Sequence, residues 1–318
     1  EAGPPFNKAS ADLILRTSDN VSFHVWKCLL EEVSPLFVDM FVLVAVATGR
    51  NTPPCIDVSE PSVVLRRLLL TIYPPSNFVF PSLDELKPVI AAAHKYQMDS
   101  ILDVLTQVLI RDFAKVEPLR VFCISTLYDL PIAQEAGARC FLALSATAAA
   151  ETYVDELRDI DARAYHRLLA CRRECAADLA ETLKVLSWFP DGIWIFTNNV
   201  NCGCGYEPVA YTFKLQGPDG TGIQRSIKRW FFAHYQRVAT VLLDRPCREA
   251  LEDPALCDQA LKDAVNCSTC RGLVHDHLRS FMRSLRDHIE ERVSKASKTI
   301  PCNVMLITYM RYFPFRLP

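Results

Sequence analysis

The chain has 318 residues, half of them hydrophobic and 23% charged, with a formal net charge of −2. That length is room for two domains, and that composition buries a sizeable core, which excludes global disorder. A sequence pI of about 6.4 leaves no broad electrostatic case for nucleic acid or an anionic membrane surface.

Glu1 to Ser10 is polar and proline-bearing, without the apolar run of a signal sequence, and residues 1–8 are expected to be disordered. Ala11 to Trp26 predicts a hairpin: Leu13 and Leu15 alternate with Ile14 and Arg16, Ser18-Asp19-Asn20 supplies turn residues, and Val21, Phe23 and Val25 alternate with Ser22 and His24. A short helix follows over Lys27 to Glu32. Ser34-Pro35 opens the next, a hydroxyl cap followed by proline where its missing N–H costs nothing. Thr48 to Pro54 reads as a loop and Cys55 to Val58 as a third strand, and Ser59 to Tyr73 has helical spacing until Pro74-Pro75 stops it. Ser82 and Glu85 form a capping box for a helix to about Tyr96, and Asp99 to Phe113 is amphipathic.

From Glu117 the pattern is helical over Pro118 to Leu130, Ile132 to Leu144 and Val154 to about Leu186. Trp188 to Phe196 then alternates aromatic and small residues, and Asn198 to Tyr206 is rich in Asn, Gly and Cys. This reads as a strand-and-loop region with a domain boundary just before it. Gln216 to Gly222 is a turn or flexible loop. Helices over Ser226 to Leu243 and Pro254 to Val265 precede a Cys-x-x-Cys and a last helix ending near Ala296. The run Thr299 to Pro318 is apolar, aromatic and uncapped, and is assigned no function.

Three ordered stretches stand out: Ala11-Asp12-Leu13-Ile14-Leu15, then Phe23 to Leu30 with Trp26-Lys27-Cys28, then Ser34-Pro35-Leu36-Phe37 with Met40-Phe41. Together they resemble the opening of the BTB/POZ domain: a strand with Asp, a hairpin, a Lys-led helix, and a Ser that starts the next helix. Leu69 to Tyr73 looks like the end of that family's third helix, and Leu86 to Met98, with Ala91-Ala92-Ala93 and Tyr96-Gln97-Met98, like its following one. With Asp84 to Pro88 and Glu117 to Phe122, the whole is similar to the BTB-containing proteins of mushroom-type (basidiomycete) fungi.

The resemblance implies an α+β fold: a BTB/POZ domain over residues 9–113, with a small three-stranded sheet flanked by a helical cluster. A mainly helical extension follows, with a short Cys-bearing strand and loop region, its parts spanning 114–186, 187–298 and the tail 299–318. It also implies a charged pair between Asp12 and Lys27, and a partner surface near Phe37, Met40, Phe41 and Tyr73. The implied partner is another BTB protomer or a cullin-type ubiquitin-ligase scaffold. Trp26 stands where the family usually has His, and Val42 to Ala47 is apolar where its loop is normally polar. No extra helix and strand of the kind transcription-factor BTB domains use for a swapped homodimer is seen before Ala11, which points to heterotypic binding or a different dimer.

Thirteen cysteines are many. Those in helical stretches (Cys123, Cys140, Cys171, Cys175, Cys257) read as small core hydrophobes in a reducing compartment. Cys202-Gly203-Cys204 with Cys267-Ser268-Thr269-Cys270 is different: two close pairs in turn contexts can place four thiolates on one structural zinc. His275 and His277 are nearby substitutes, Gly203 and Gly205 would ease the first turn, and the plain alternative is four unrelated thiols. A redox role for Cys267 lacks the strand–helix pattern of thioredoxin-like sites.

No Gly-x-Ser-x-Gly, phosphate-binding glycine loop, His-Glu-x-x-His or Gly-x-Gly-x-x-Gly occurs, so no catalytic residue is assigned and the chain is expected not to be an enzyme. Arg225, Lys228, Arg229 and Arg237, interleaved with Trp230, Phe231, Phe232 and Tyr235, fit a packed helix with a basic outer face better than a base-stacking surface. The expected function is an intracellular adaptor in cytoplasm or nucleus, with protein partners, no nucleic acid and no membrane. The competing reading is a zinc-stabilised structural or chromatin-associated scaffold.

Overall fold

Leu13, Leu15, Phe23 and Val25 all turn to one buried face, and their alternation with more exposed neighbours builds the first sheet. In the computed structural model, which describes residues 1–47, 53–73, 79–214 and 222–297, β1 (Leu13–Arg16) and β2 (Ser22–Val25) form an antiparallel hairpin with Leu13 opposite Val25 and Leu15 opposite Phe23. Asn20 turns the corner at φ 60°, a left-handed conformation that asparagine tolerates. β3 (Cys55–Asp57) runs parallel to β1, giving the order β2-β1-β3. The Asp19 carboxylate reaches from the hairpin turn to accept from the Ser62 N–H (2.8 Å) and hydroxyl (2.6 Å), capping α3 (Ser62–Ile72).

The first ten residues are tied down rather than disordered. Phe6 is 0% exposed, packed on Phe23 and Tyr73 at 5.5 and 5.1 Å, and the Ala2 N–H donates to the Ser22 carbonyl. One buried ring fixes what a polar, proline-bearing composition conceals.

α1 (Lys27–Val33) and α2 (Pro35–Ala47) meet at Ser34, which is 1% exposed. Its hydroxyl accepts from the Phe37 N–H at 3.1 Å and donates to the Tyr96 carbonyl at 2.6 Å, so the cap also fastens α2 to the end of α4 (Leu83–Lys95). The capping box expected at α4 does not form: the Ser82 side chain makes no cap bond, and the Glu85 carboxylate pairs with Arg67 of α3 instead. α5 (Asp99–Val108) continues through a π-turn over Leu109–Phe113. α6 (Pro118–Leu127) and α7 (Pro131–Leu142) approach closely at Gly137, where a Cβ would stand 2.8 Å from the Phe122 nitrogen.

The chain divides into two compact units, Glu1–Gly137 and a second from Ala138 onward. In the second, the helix expected over Val154 to Leu186 is broken. A 3₁₀ turn at Asp155–Arg158 precedes α9 (Ala162–Thr182), and Asp161 accepts from the Arg163 N–H at 2.8 Å to start it. α8 (Ala146–Glu151) comes before both. The boundary expected near Leu186 falls inside this unit, because Cys171, Cys175 and Leu179 of α9 share one core with Phe189, Phe213 and Phe281.

The strand and loop region is more ordered than its composition suggests. β4 (Leu186–Pro190) pairs parallel with β5 (Tyr206–Lys214), which pairs antiparallel with β6 (Gly222–Lys228). β4 stops at Pro190 rather than reaching Phe196. Asp191 turns to bind Arg225 at 2.6 and 2.9 Å, and the Trp194 indole N–H donates to the Pro190 carbonyl at 3.0 Å. Ser226, Ile227 and Lys228 belong to β6, so α10 (Arg229–Asp244) starts later than its pattern suggests. A 3₁₀ turn at Arg248–Leu251, α11 (Ala255–Val265), α12 (Ser268–Arg271) and α13 (Val274–Ser297) complete the unit. At its centre Phe231 stacks on Phe196 at 4.0 Å and meets Phe281 edge-on at 4.9 Å. Residues 48–52, most of the Gln216 to Gly222 loop and the tail 299–318 lie outside the described residues.

Candidate metal centre

Two turns bring sulfur together. Cys202 and Cys204 sit in the loop that enters β5; Cys267 caps α12, and Cys270 lies within its single turn. The register that sets Tyr206 opposite Lys228, with the Arg229 N–H donating to the Gly205 carbonyl at 3.0 Å, pins the first loop to the end of β6. Neither glycine of that loop is left-handed. A Cβ at Gly203 would meet nothing within 4 Å, and one at Gly205 would touch the Arg229 side chain at 3.3 Å.

The Cys270 sulfur lies 3.9 Å from that of Cys202 and 3.7 Å from that of Cys204, and all four sulfurs fall within 4.8 Å of one another. A tetrahedral zinc with Zn–S bonds of about 2.3 Å sets sulfurs apart by about 3.8 Å, so this spacing fits. The four predicted residues therefore converge. The proposed substitutes do not join them: His275 is exposed, and His277 accepts the Ile195 N–H on Nδ1 at 2.9 Å against Trp194.

The electrostatics favour bound positive charge. The Cys270 and Thr269 main-chain N–H groups and the neighbouring thiols lower Cys267 to about 6. Burial works against ionisation of Cys202, but the Lys228 ammonium and the Cys204 N–H (3.4 Å from its sulfur) outweigh it and bring that thiol below its usual value. Burial and the adjoining thiols push Cys204 and Cys270 up. Four thiols this close ionise together only around a cation.

Lys228 escaped the sequence reading. Expected on a basic outer face, it is 0% exposed, with Nζ 2.8 Å from the Cys202 sulfur and 3.5 Å from that of Cys270. Burial lowers its affinity for the proton, yet those sulfurs hold it above the ordinary lysine value. Trp230, Phe231 and Tyr235 are core as expected.

In the first unit, the residues assigned to a partner surface are mostly core. Phe37 is 1% exposed, stacked on Tyr96 at 4.9 Å and beside Phe41 at 5.7 Å. Tyr73 stacks on Trp26 at 5.6 Å, and its hydroxyl accepts the Trp26 N–H at 3.0 Å. Met40 is half-buried. Among the described side chains of α2, the exposed large apolar ones are Val38 at 40% and Val42 at 63%, each one position on from the buried Phe37 and Phe41. Asp12 and Lys27 do meet, but not as a charged pair. The carboxylate accepts the Lys27 main-chain N–H at 2.8 Å, capping α1, while the ammonium lies 5.9 Å above the Phe41 ring.

Compared with known proteins, residues 5–112 match the BTB/POZ domain, roughly a third of the chain. No curated protein matches the chain. Residues 5–112 are a BTB/POZ domain followed by a helical region with a further sheet, and that domain supports a role in protein–protein interaction. Among the described residues no helix is long and apolar enough to cross a membrane.

Proposed function

We propose that this chain, with its BTB/POZ domain at residues 5–112, is a non-catalytic intracellular adaptor, acting in cytoplasm or nucleus. The domain match carries the reading. One end engages a protein, either a second copy of the domain or a cullin-type ubiquitin-ligase scaffold, and the second unit holds another. Val38 and Val42 support a docking face on α2, since interfaces bury apolar anchors inside a polar rim and the neighbouring Asp39 is exposed. The four cysteines then hold a structural zinc that fastens the second unit. Sedimentation of the full chain over a concentration series, with binding to a purified cullin-type scaffold alongside, tests this. Self-association or complex formation, weakened by Val38→Asp with Val42→Asp, is expected; a monomer that binds no scaffold refutes it.

The cysteine cluster favours a second reading, a zinc-stabilised structural or chromatin-associated scaffold without a ubiquitin-ligase role, in which the BTB/POZ domain only oligomerises the chain. It requires about one zinc per chain, lost on changing Cys267 and Cys270 to Ser, together with self-association and no cullin binding.

A further inference from the structure

We infer that Lys228 is the outer-sphere partner of the metal centre, a built-in counter-charge that hydrogen-bonds to sulfur and makes the zinc slow to leave. The inference rests on the zinc reading and adds to it how the site is kept inert.

The side chain is fully buried, and among the described residues no carboxylate pairs with it; its polar contacts are the sulfurs of Cys202 and Cys270. A buried ammonium facing neutral thiols is left uncompensated, which proteins avoid. Facing thiolates it is matched. Four thiolates around a divalent cation leave two negative charges in a half-buried pocket, and one ammonium removes one of them.

Its position is fixed by main chain. The Lys228 N–H donates to the Phe196 carbonyl at 2.8 Å, and the register with Tyr206 locks the end of β6 beside the first cysteine loop. The ammonium therefore reaches one sulfur from each loop, Cys202 before β5 and Cys270 in α12. Both contacts draw electron density from ligand sulfur, so these thiolates react less readily with electrophiles and are less easily protonated off the metal.

The test uses the full chain as wild type, Lys228→Met, Lys228→Gln and Lys228→Arg. Zinc content, zinc affinity by chelator competition, and the rate of zinc release on adding N-ethylmaleimide are measured for each. Loss of an outer-sphere partner weakens metal binding by about 10–100-fold, so Lys228→Met is expected to load about one zinc, bind it at least about tenfold more weakly and release it correspondingly faster. Lys228→Gln, which keeps a donor without the charge, falls between, and Lys228→Arg stays near wild type.

A purely packing role predicts none of this, because methionine fills the same space. Coupling is reciprocal, so after the zinc is stripped the order in thermal stability reverses and Lys228→Met melts no lower than wild type. Loaded Met and Gln variants whose affinity and release rate stay within about twofold of wild type overturn the inference. A wild-type chain that takes up no zinc overturns the metal reading itself, a separate result. If Lys228→Met fails to fold, the Gln variant decides.

Discussion

Replacing Arg172 with methionine is expected to destabilise the second unit by about 3 kcal/mol, and the figure follows from four carbonyls. Arg172, buried on α9, donates from Nη2 to the carbonyls of Leu144 (2.9 Å) and Asp244 (2.5 Å), and from Nη1 to those of Phe141 (3.3 Å) and Leu142 (3.2 Å). α7 ends at Leu142 and α10 at Asp244, so the Leu142 and Asp244 carbonyls are among those a helix leaves without an intrahelical partner. Leu144 follows α7, and the Phe141 carbonyl also accepts the Leu144 N–H at 3.2 Å. The two Nη2 bonds contribute about 1.5 kcal/mol each as bonds from a charged donor, and the two longer Nη1 contacts together about 1. Desolvation, which pulls Arg172 below the usual arginine value, offsets roughly 1 kcal/mol of that sum. Lysine concentrates its donors on one nitrogen and does not span both helix ends, so Arg172→Lys loses about 2 kcal/mol. The assay is urea unfolding followed by tryptophan fluorescence in a Trp26→Phe background, which leaves Trp188, Trp194 and Trp230, all in the second unit. A midpoint shift worth less than about 1 kcal/mol at unchanged slope, or full rescue by lysine, refutes the reasoning.

Three further outcomes follow from the first unit. Ser34→Ala removes both the cap on α2 and the bond to the Tyr96 carbonyl, and circular dichroism melts should show a loss of about 1–2 kcal/mol. Gly137→Ala drives a methyl into the Phe122 main chain of α6, so denaturant unfolding should show a loss of about 1–3 kcal/mol, since backbone cannot swing aside. Asp19 titrates at about 2 against an ordinary 3.8, held down first by the Ser62 hydroxyl and then by that of Thr17. A depressed carboxylate stabilises the fold above its unfolded value and loses that contribution as pH falls through its folded one. The melting difference between wild type and Asp19→Asn should therefore be full above pH 4 and vanish towards pH 2; a pH-independent difference contradicts it.

The hairpin at Leu13 to Val25 and the Ser34 cap were legible because both are local: alternation sets one, and a hydroxyl three residues from an amide sets the other. Tyr206 to Lys214 was not read as a strand, since Pro208, Val209 and Ala210 are all exposed and no period survives; pairing with β6 defines it. The same pairing turns Lys228 inward from between two arginines that its spacing groups with it. That Phe37 and Phe41 are core while Val38 and Val42 are exposed is not legible in the sequence, because Pro35 to Ala47 is apolar nearly all round and periodicity cannot tell which face is core. The four cysteines were recoverable from spacing, whereas their order of acidity depends on which main-chain N–H groups each sulfur meets.

Cys202 and Cys270 lie 68 residues apart, yet the elements between them, the β5–β6 pair and the α10–α11 pair, are each built by chain neighbours. A bridge across those sulfurs would close a loop of 68 residues around pieces that pair with their own chain neighbours. Metal bound there would act as a latch on a finished structure, slowing the coming apart of the second unit more than it changes the speed of its assembly.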